Sequence, residues 1–545
     1  MSESKSVALA YPRLCLAYFL QFAVWGSYGF ALYSYALNVL NFSGPQVGWI
    51  GAAIPIGALF APLVGRIADR FLSAQYVLSI LQFISAGLLI FAGLQKDFTP
   101  MMVALVLVGS FYMPTIPLIN SIVYRHVPKK NPDDPNEDNA PRVFMFGTIG
   151  WIVIVLIIQA FFGGDQTPQF FYVGAACSLL LAIYALTLPD TPPKPVETTS
   201  TQKAPSAWTL IAQPQFLCFT IAILIAGIAA CGFFFTTCQS MLTQRGYPGG
   251  LALTTLNQIS EVLFMALLPI FVKRIGLKNV ILIGIGAWLA RYVCFMEAAF
   301  GFALVGLLLH GLCYSFLYAG SYKFGDKIAP ETMKASVQSF IGMILLGVGQ
   351  IVGALLAGYL IGWSPALVSN YQVTEGNAVV LNVTADNVQN LPRWTDPAAA
   401  KSVWNILDLG QYVKPQNVKD EETKAAAKNL DLTSIDTNKD GKITAPELAD
   451  VISADKSNTI PKEVVTSLLT QVQSKLAGKD VKAEEINITR EQYLQAQTND
   501  WKKIYMVPAI MMAAAFIFFL LFGKNPTEEN KEDEAQPEEA QPAEA

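Results

Sequence analysis

The stretch PDTPPKPVETTSTQKAPSA, residues 189–207, decides how the rest of the chain is read. It is rich in proline, serine and threonine and has no apolar periodicity, so it is expected to be a flexible linker. Working outward, six apolar runs precede it, near 14–37, 47–66, 74–95, 101–124, 144–162 and 170–188. Six more follow, near 209–234, 251–272, 279–299, 301–322, 336–363 and 504–522. Each approaches the roughly 20 residues that a helix needs to cross a bilayer. Composition agrees, since the 545 residues are 53 % hydrophobic and only 14 % charged, far from the balance of a soluble protein. The expected fold class is therefore an all-α membrane protein with 12 transmembrane helices in two six-helix halves, 1–188 and 208–363 with 501–523.

The charges are unevenly placed. Residues 364–500 hold 33 of the 78 Asp, Glu, Lys and Arg, and an acidic tail, 524–545, without apolar periodicity is expected to be disordered. The net charge of −4 thus hides a basic membrane part beside an acidic insert and tail, a distribution that argues against nucleic acid as a partner. All seven cysteines, from Cys15 to Cys313, lie in apolar runs, so no disulfide framework is implied. The first run is too long for a signal-peptide core and is kept as a span. Arg66, Arg70, Arg125, Lys129, Lys130, Lys194, Lys203, Lys273, Arg274, Lys278, Lys327 and Lys334 all fall in even-numbered loops. The positive-inside rule then makes both termini and the linker cytoplasmic in a multi-pass plasma-membrane protein, with the insert 364–500 outside.

Two like halves joined by a linker imply a secondary transporter whose site lies between them at the bilayer midplane. Its partners are then a small-molecule solute, protons and the lipid membrane, and no nucleophile–base motif in the spans suggests an enzyme. Glu261 is the sharpest site residue, because a carboxyl near the middle of a span is costly unless it faces a cavity or a partner. Gln258 lies one turn earlier on the same face. The other reading of Glu261 is a structural ion pair with Arg291, at a similar depth in the next span. Gln21, Trp25, Asn120, Thr148, Trp151, His310 and Tyr314 are polar or amphipathic residues in spans, suited either to stacking on a ring and bonding its edges or to packing.

Several stretches resemble known transporters. Gly65-Arg66-Ile67-Ala68-Asp69-Arg70 looks like the loop 2–3 signature of the major facilitator superfamily, which implies that Asp69 and Arg70 help latch the cytoplasmic side as a gate. FLQFAVWGS (19–27), FYMPTIPLINSI (111–122), FGTIGW (146–151), QISEVLF (258–264), AWLARYVCF (287–295) and LHGLCYSF (309–316) resemble the nucleoside:proton symporter family. The resemblance implies proton-coupled nucleoside uptake by alternating access, with Gln258 and Glu261 on substrate and Thr148, Trp151, His310 and Tyr314 lining the pocket. Departures accompany it: Ser315 stands where the family commonly has Asp, Cys231 and Phe234 replace polar positions, and Arg142 is offset from the family's Arg, whose place Phe144 most nearly takes. Another solute, such as a sugar or nucleobase, and a transport-dead receptor sensing calcium or solute are the alternatives.

Within the insert, residues 436–447 read DTNKDGKITAPE. Asp436, Asn438 and Asp440 stand at positions 1, 3 and 5 of an EF-hand loop, with Gly441 at the turn, the Lys442 carbonyl at 7, Thr444 at 9 and Glu447 at 12. Hard oxygen ligands at this spacing suit calcium, which is the expected cofactor, in a small, mostly helical domain. Residues 370–395 alternate weakly and are compatible with a hairpin.

Overall fold

The computed structural model describes residues 2–40, 42–59, 72–127, 140–193, 207–330, 333–363, 371–375, 378–383 and 499–526. Asp69, Arg70 and the expected calcium loop 436–447 lie outside these residues. Lipid offers no partner for backbone N–H and C=O groups, so apolar runs of this length must bond internally as helices. Nine described stretches are long and apolar enough to cross a membrane, and Gln169–Ala185 is a shorter apolar helix.

The first half contains α1 (Tyr11–Val39), α2 (Gly44–Ala58), α3 (Ala74–Leu94), α4 (Phe98–His126), α5 (Ala140–Phe161) and α6 (Gln169–Ala185). In the second half, α7 (Pro214–Gln244) precedes a single helix, Thr255–Met296, of 42 residues. At 1.5 Å per residue that helix is about 63 Å long, twice the hydrocarbon thickness. It breaks at Gly276, where φ is 78° and ψ 164°, a conformation that favours glycine. The two arms are α8 (255–275) and α9 (277–296), so spans expected as separate runs join without a loop. The half is completed by α10 (Phe300–Ile328), α11 (Ser336–Trp363) and α12 (Trp501–Phe522).

Several spans are interrupted, and in α4 and α7 neighbouring hydroxyls take up freed backbone groups. In α4, Pro114 follows the first segment and Thr115 Oγ1 donates to the Tyr112 carbonyl at 2.6 Å. In α7, a π turn spans Ile228–Gly232 and Ala230 leaves the helical region at φ −91°, ψ −115°. There Tyr318 OH of α10 accepts from the Cys231 N–H at 3.3 Å, and Tyr292 OH of α9 donates to the Ala229 carbonyl.

Among the described residues the two halves share a core at one end. There α2 crosses α11 so closely that a Cβ on Gly358 would stand 2.4 Å from Gly48 Cα. At the same end Phe30 of α1 stacks on Phe235 of α7 at 4.7 Å, and Gln159 Oε1 of α5 accepts from the Leu251 N–H at 2.6 Å. At the opposite end the first half keeps a core of its own, including Leu14, Leu78, Ile122, Val143 and Leu181. Large apolar side chains such as Phe83, Phe161 and Ile183 point outward, as lipid-facing residues should.

The start of the linker is not free chain. Gln75 Nε2 donates to Asp190 Oδ1 at 2.6 Å while its Oε1 accepts from the Thr191 N–H at 2.9 Å. Arg125 Nη1 donates to the Pro192 carbonyl at 2.7 Å. Side-chain hydrogen bonds to Gln75 and then Ser73 hold the Asp190 carboxyl below the usual carboxylate range. Flexibility was expected because proline-rich composition shows no such side-chain ties.

Residues 364–500 belong to a second compact unit. Within it β1 (Tyr371–Glu375) and β2 (Ala378–Val383) form an antiparallel hairpin, with Tyr371 opposite Val383 and a register shift between Val373 and Thr374. The hairpin lies inside the segment where alternation suggested one.

Candidate functional site

In the second half, α7, α8, α9 and α10 bring a set of polar side chains together under the closed end. Glu261 and Gln258 sit on one face of α8, as their spacing dictates. The Glu261 side chain is 25 % exposed, whereas that of its neighbour His310 on α10 is 3 % exposed, and Glu261 Oε2 lies 3.9 Å from His310 Nε2. Cys231 and Tyr314 are also within electrostatic range of Glu261. Arg291 is fully buried on α9 and is not the direct partner of Glu261. Its Nη1 donates to His310 Nδ1 at 2.7 Å and its Nη2 to Asn257 Oδ1 at 2.7 Å. Its guanidinium carbon lies 3.5 Å from the centre of the Phe234 ring, a favourable seat for a desolvated cation.

Rings form a column beside this cluster. Phe234 stacks on His310 at 5.4 Å, His310 on Tyr314 at 5.9 Å and Tyr314 on Tyr318 at 5.0 Å. The period of four along α10 produces the stack, because residues i, i+4 and i+8 share a face. Tyr314 also lies within electrostatic range of Tyr18 on α1, so both halves border the same space.

The first half contributes aromatic groups and an internal polar lattice. Trp25 and Trp151 meet edge to face at 5.5 Å, and Trp151 contacts Phe30 at 6.2 Å and Phe235 at 6.5 Å. Thr148 is half-buried one turn before Trp151. Gln21 has its amide committed within the half: Nε2 donates to Thr115 Oγ1 at 2.7 Å and Oε1 accepts from Gln82 Nε2 at 2.9 Å. Ser178 Oγ in turn donates to Gln82 Oε1 at 2.6 Å. Four helices are thereby tied together, and Gln82 and Ser178 join residues that sequence reading singled out without them. Asn120 Oδ1 accepts from Tyr18 OH at 3.1 Å. Arg142 is exposed on α5, away from the Glu261 cluster, and is within electrostatic range of Tyr11.

Several buried polar atoms near the rings have no partner among the described residues: Gln258 Oε1, Asn257 Nδ2 and Trp151 Nε1. Buried donors and acceptors are rarely left unpaired without a ligand or water. Together they offer one acceptor, two donors and stacking faces, which suits a small planar solute carrying polar edges. Asn257 and Arg291 were not proposed as contacts from sequence; polar residues in adjacent apolar runs were the available signal. Among the described residues no group of three or more His, Cys, Asp and Glu could hold a metal ion.

Similarity to known proteins follows the same outline. Residues 9–380 match the family described as Nucleoside H+ symporter. The chain is 34 % identical over 368 residues to the putative nucleoside transporter YegT of Escherichia coli K12, covering 64 % of this chain and 84 % of that protein. Nucleoside permease NupG of the same organism is 29 % identical over 378 residues, covering 64 % and 87 %. The crystal structure of NupG superposes with a TM-score of 0.58 at 25 % identity, over 72 % of this chain and 98 % of that one. A bacterial homolog to the human lysosomal transporter Spinster, inward-facing and occupied, shares the fold at a TM-score of 0.54 and 15 % identity, over 95 % of this chain and 99 % of that one. The match over residues 9–380, which runs through both halves, means that this chain belongs to the Nucleoside H+ symporter family.

Proposed function

We propose that this protein takes up nucleosides together with protons by rocking two six-helix halves about a central site. The observation that carries this reading is Glu261, an accessible carboxyl within a span, set beside an unpartnered Gln258 carbonyl and a column of stacked rings. Glu261 would take a proton from one side and release it to the other, while the rings sandwich the base and Gln258, Asn257 and Trp151 bond its edges and the ribose. Twelve crossings follow if α8 and α9 each span, which their length and the break at Gly276 support. With cytoplasmic termini, as loop charges require, the closed end faces outward and the structure represents an inward-open state. Asp69 and Arg70, in the loop after α2, would then latch the opposite end.

The test is uptake of radiolabelled nucleosides into proteoliposomes with and without an imposed proton gradient. Gradient-driven accumulation is expected for the wild type. Glu261→Gln should lose accumulation while still exchanging nucleoside across the bilayer. Accumulation by that variant at the wild-type level from pH 5 to 8 refutes Glu261 as the proton site.

We further propose that 436–447 binds one calcium ion through Asp436, Asn438, Asp440, the Lys442 carbonyl, Thr444 and Glu447, stabilising the insert. External modules of this type bind at roughly 0.1–1 mM. Calorimetry of the full chain should show one site in that range, erased by Asp436→Ala. No heat up to about 10 mM calcium ends the assignment.

A further inference from the structure

The reaction proposed above leaves Arg291 without a task, yet the structure gives it three partners. It lies on the Phe234 ring at 3.5 Å, donates to Asn257 and donates to His310 Nδ1. An arginine has no acceptor lone pair, so the nitrogen that receives its N–H must be unprotonated. A neutral imidazole then carries its hydrogen on Nε2, the atom 3.9 Å from Glu261 Oε2. A second proton on His310 would point an N–H at the guanidinium, so the arrangement opposes it.

Phe234 has a second contact set. It also meets Phe30 of the first half edge to face at 5.6 Å, at the end where the halves close. The same side chain therefore belongs to the gate and to the seat of Arg291. It stands just beyond the α7 break, whose backbone is held by Tyr292 and Tyr318. Moving the outer arm of α7 away from the first half must move Phe234 relative to Arg291.

We infer that Arg291 is a positioning residue that fixes His310 as a neutral Nε2–H donor toward Glu261, and that closure of Phe234 against Phe30 sets this arrangement. This rests on the reading of the protein as a proton-coupled nucleoside transporter. The groups facing Glu261 are His310 and Tyr314 from α10 and Cys231 from α7, with Arg291 of α9 behind the imidazole. With the gate closed, the imidazole N–H and the positive charge behind it favour the ionised carboxylate, and so release of its proton to the open side. With the gate open, the seat is disturbed, both influences weaken, and the carboxylate takes a proton from the water that the opening admits. The exchanged proton stays on Glu261 and water throughout; His310 carries none.

The experiment is the pH profile of nucleoside uptake in proteoliposomes, with nucleoside counterflow as the control for folding and cargo binding. His310→Gln is the decisive variant, since its Oε1 can accept from Arg291 and its amide N–H can point toward Glu261 without titrating. Losing one ring of the column should raise KM for nucleoside, but the variant should still couple uptake to the proton gradient, read as accumulation relative to counterflow, with its alkaline limb unmoved, whereas His310→Leu and Arg291→Met should move that limb to higher pH by about one unit. Phe30→Ala touches neither Arg291 nor Glu261 and should shift the limb in the same direction. Loss of accumulation in His310→Gln with counterflow intact would show that the imidazole carries the proton, overturning the assignment. An unmoved profile in Phe30→Ala would overturn the link to the gate. If the wild type itself shows no proton-driven accumulation, the functional reading fails first, and counterflow reveals that independently.

Discussion

Replacing Gly358 by alanine places one methyl group into the crossing of α2 and α11. That Cβ would stand 2.4 Å from Gly48 Cα, 2.5 Å from the Gly44 carbonyl oxygen and 2.5 Å from the Gly48 nitrogen. All three are backbone atoms, so no side chain can swing aside. Carbon atoms in ordinary contact sit about 3.5–4.0 Å apart, and the helices must part locally by roughly 1 Å. Overpacking of this kind costs about 1–3 kcal/mol. In the rocking cycle proposed above this crossing parts when the end opens, so the cost should fall on the closed state alone and the opposite state should gain about 5- to 150-fold in relative population. The assay is labelling of Thr148→Cys by an impermeant maleimide in right-side-out and inside-out vesicles, with and without Gly358→Ala. Labelling from the closed side should rise and labelling from the open side fall. Unchanged labelling from both sides, in a variant that melts at the wild-type temperature, would mean that this crossing does not separate during transport.

Two further outcomes follow from the first half. Gln82→Leu strands Gln21 Oε1 in a dry helix interior, while Ser178 Oγ keeps the backbone carbonyl of residue 82, at a cost of about 1–3 kcal/mol; detergent-solubilised protein should melt several degrees lower, and an unchanged melting temperature would show the lattice to be dispensable. Trp151→Phe keeps the ring contacts and deletes the unpartnered Nε1–H. KM for nucleoside should rise about 2- to 10-fold with kcat nearly constant, and an unchanged KM would mean that this N–H does not meet the cargo.

Much of the scaffold could be read from sequence because lipid leaves an apolar run few choices. The bend at Gly276 could not be read as a loopless turn, since a short polar stretch looks the same whether it forms a loop or a kink. Polar residues inside spans posed the harder problem. Gln21 and Gln258 are both glutamines in apolar helices, yet one is spent on Thr115 and Gln82 while the other keeps its carbonyl unpartnered. Depth along a helix does not report which neighbour a side chain finds. Arg291 illustrates this: its depth matched Glu261, but its position on α9 turns it to His310, Asn257 and the face of Phe234. The docking of 189–193 escaped notice for a related reason, as its anchor, Gln75, is more than a hundred residues away.

The interruption in α7 gives the second half a lever with a fixed fulcrum. Beyond it the arm Phe233–Gln244 has 12 residues, about 18 Å at the helical rise. A swing of about 10° at the fulcrum carries the tip by about 3 Å. That travel is comparable to the thickness of an aromatic ring, so a small turn is enough to lift Phe235 off Phe30. Because two tyrosine hydroxyls occupy the backbone groups at the pivot, the swing need not expose them to hydrocarbon, and the point of rotation cannot wander along the helix.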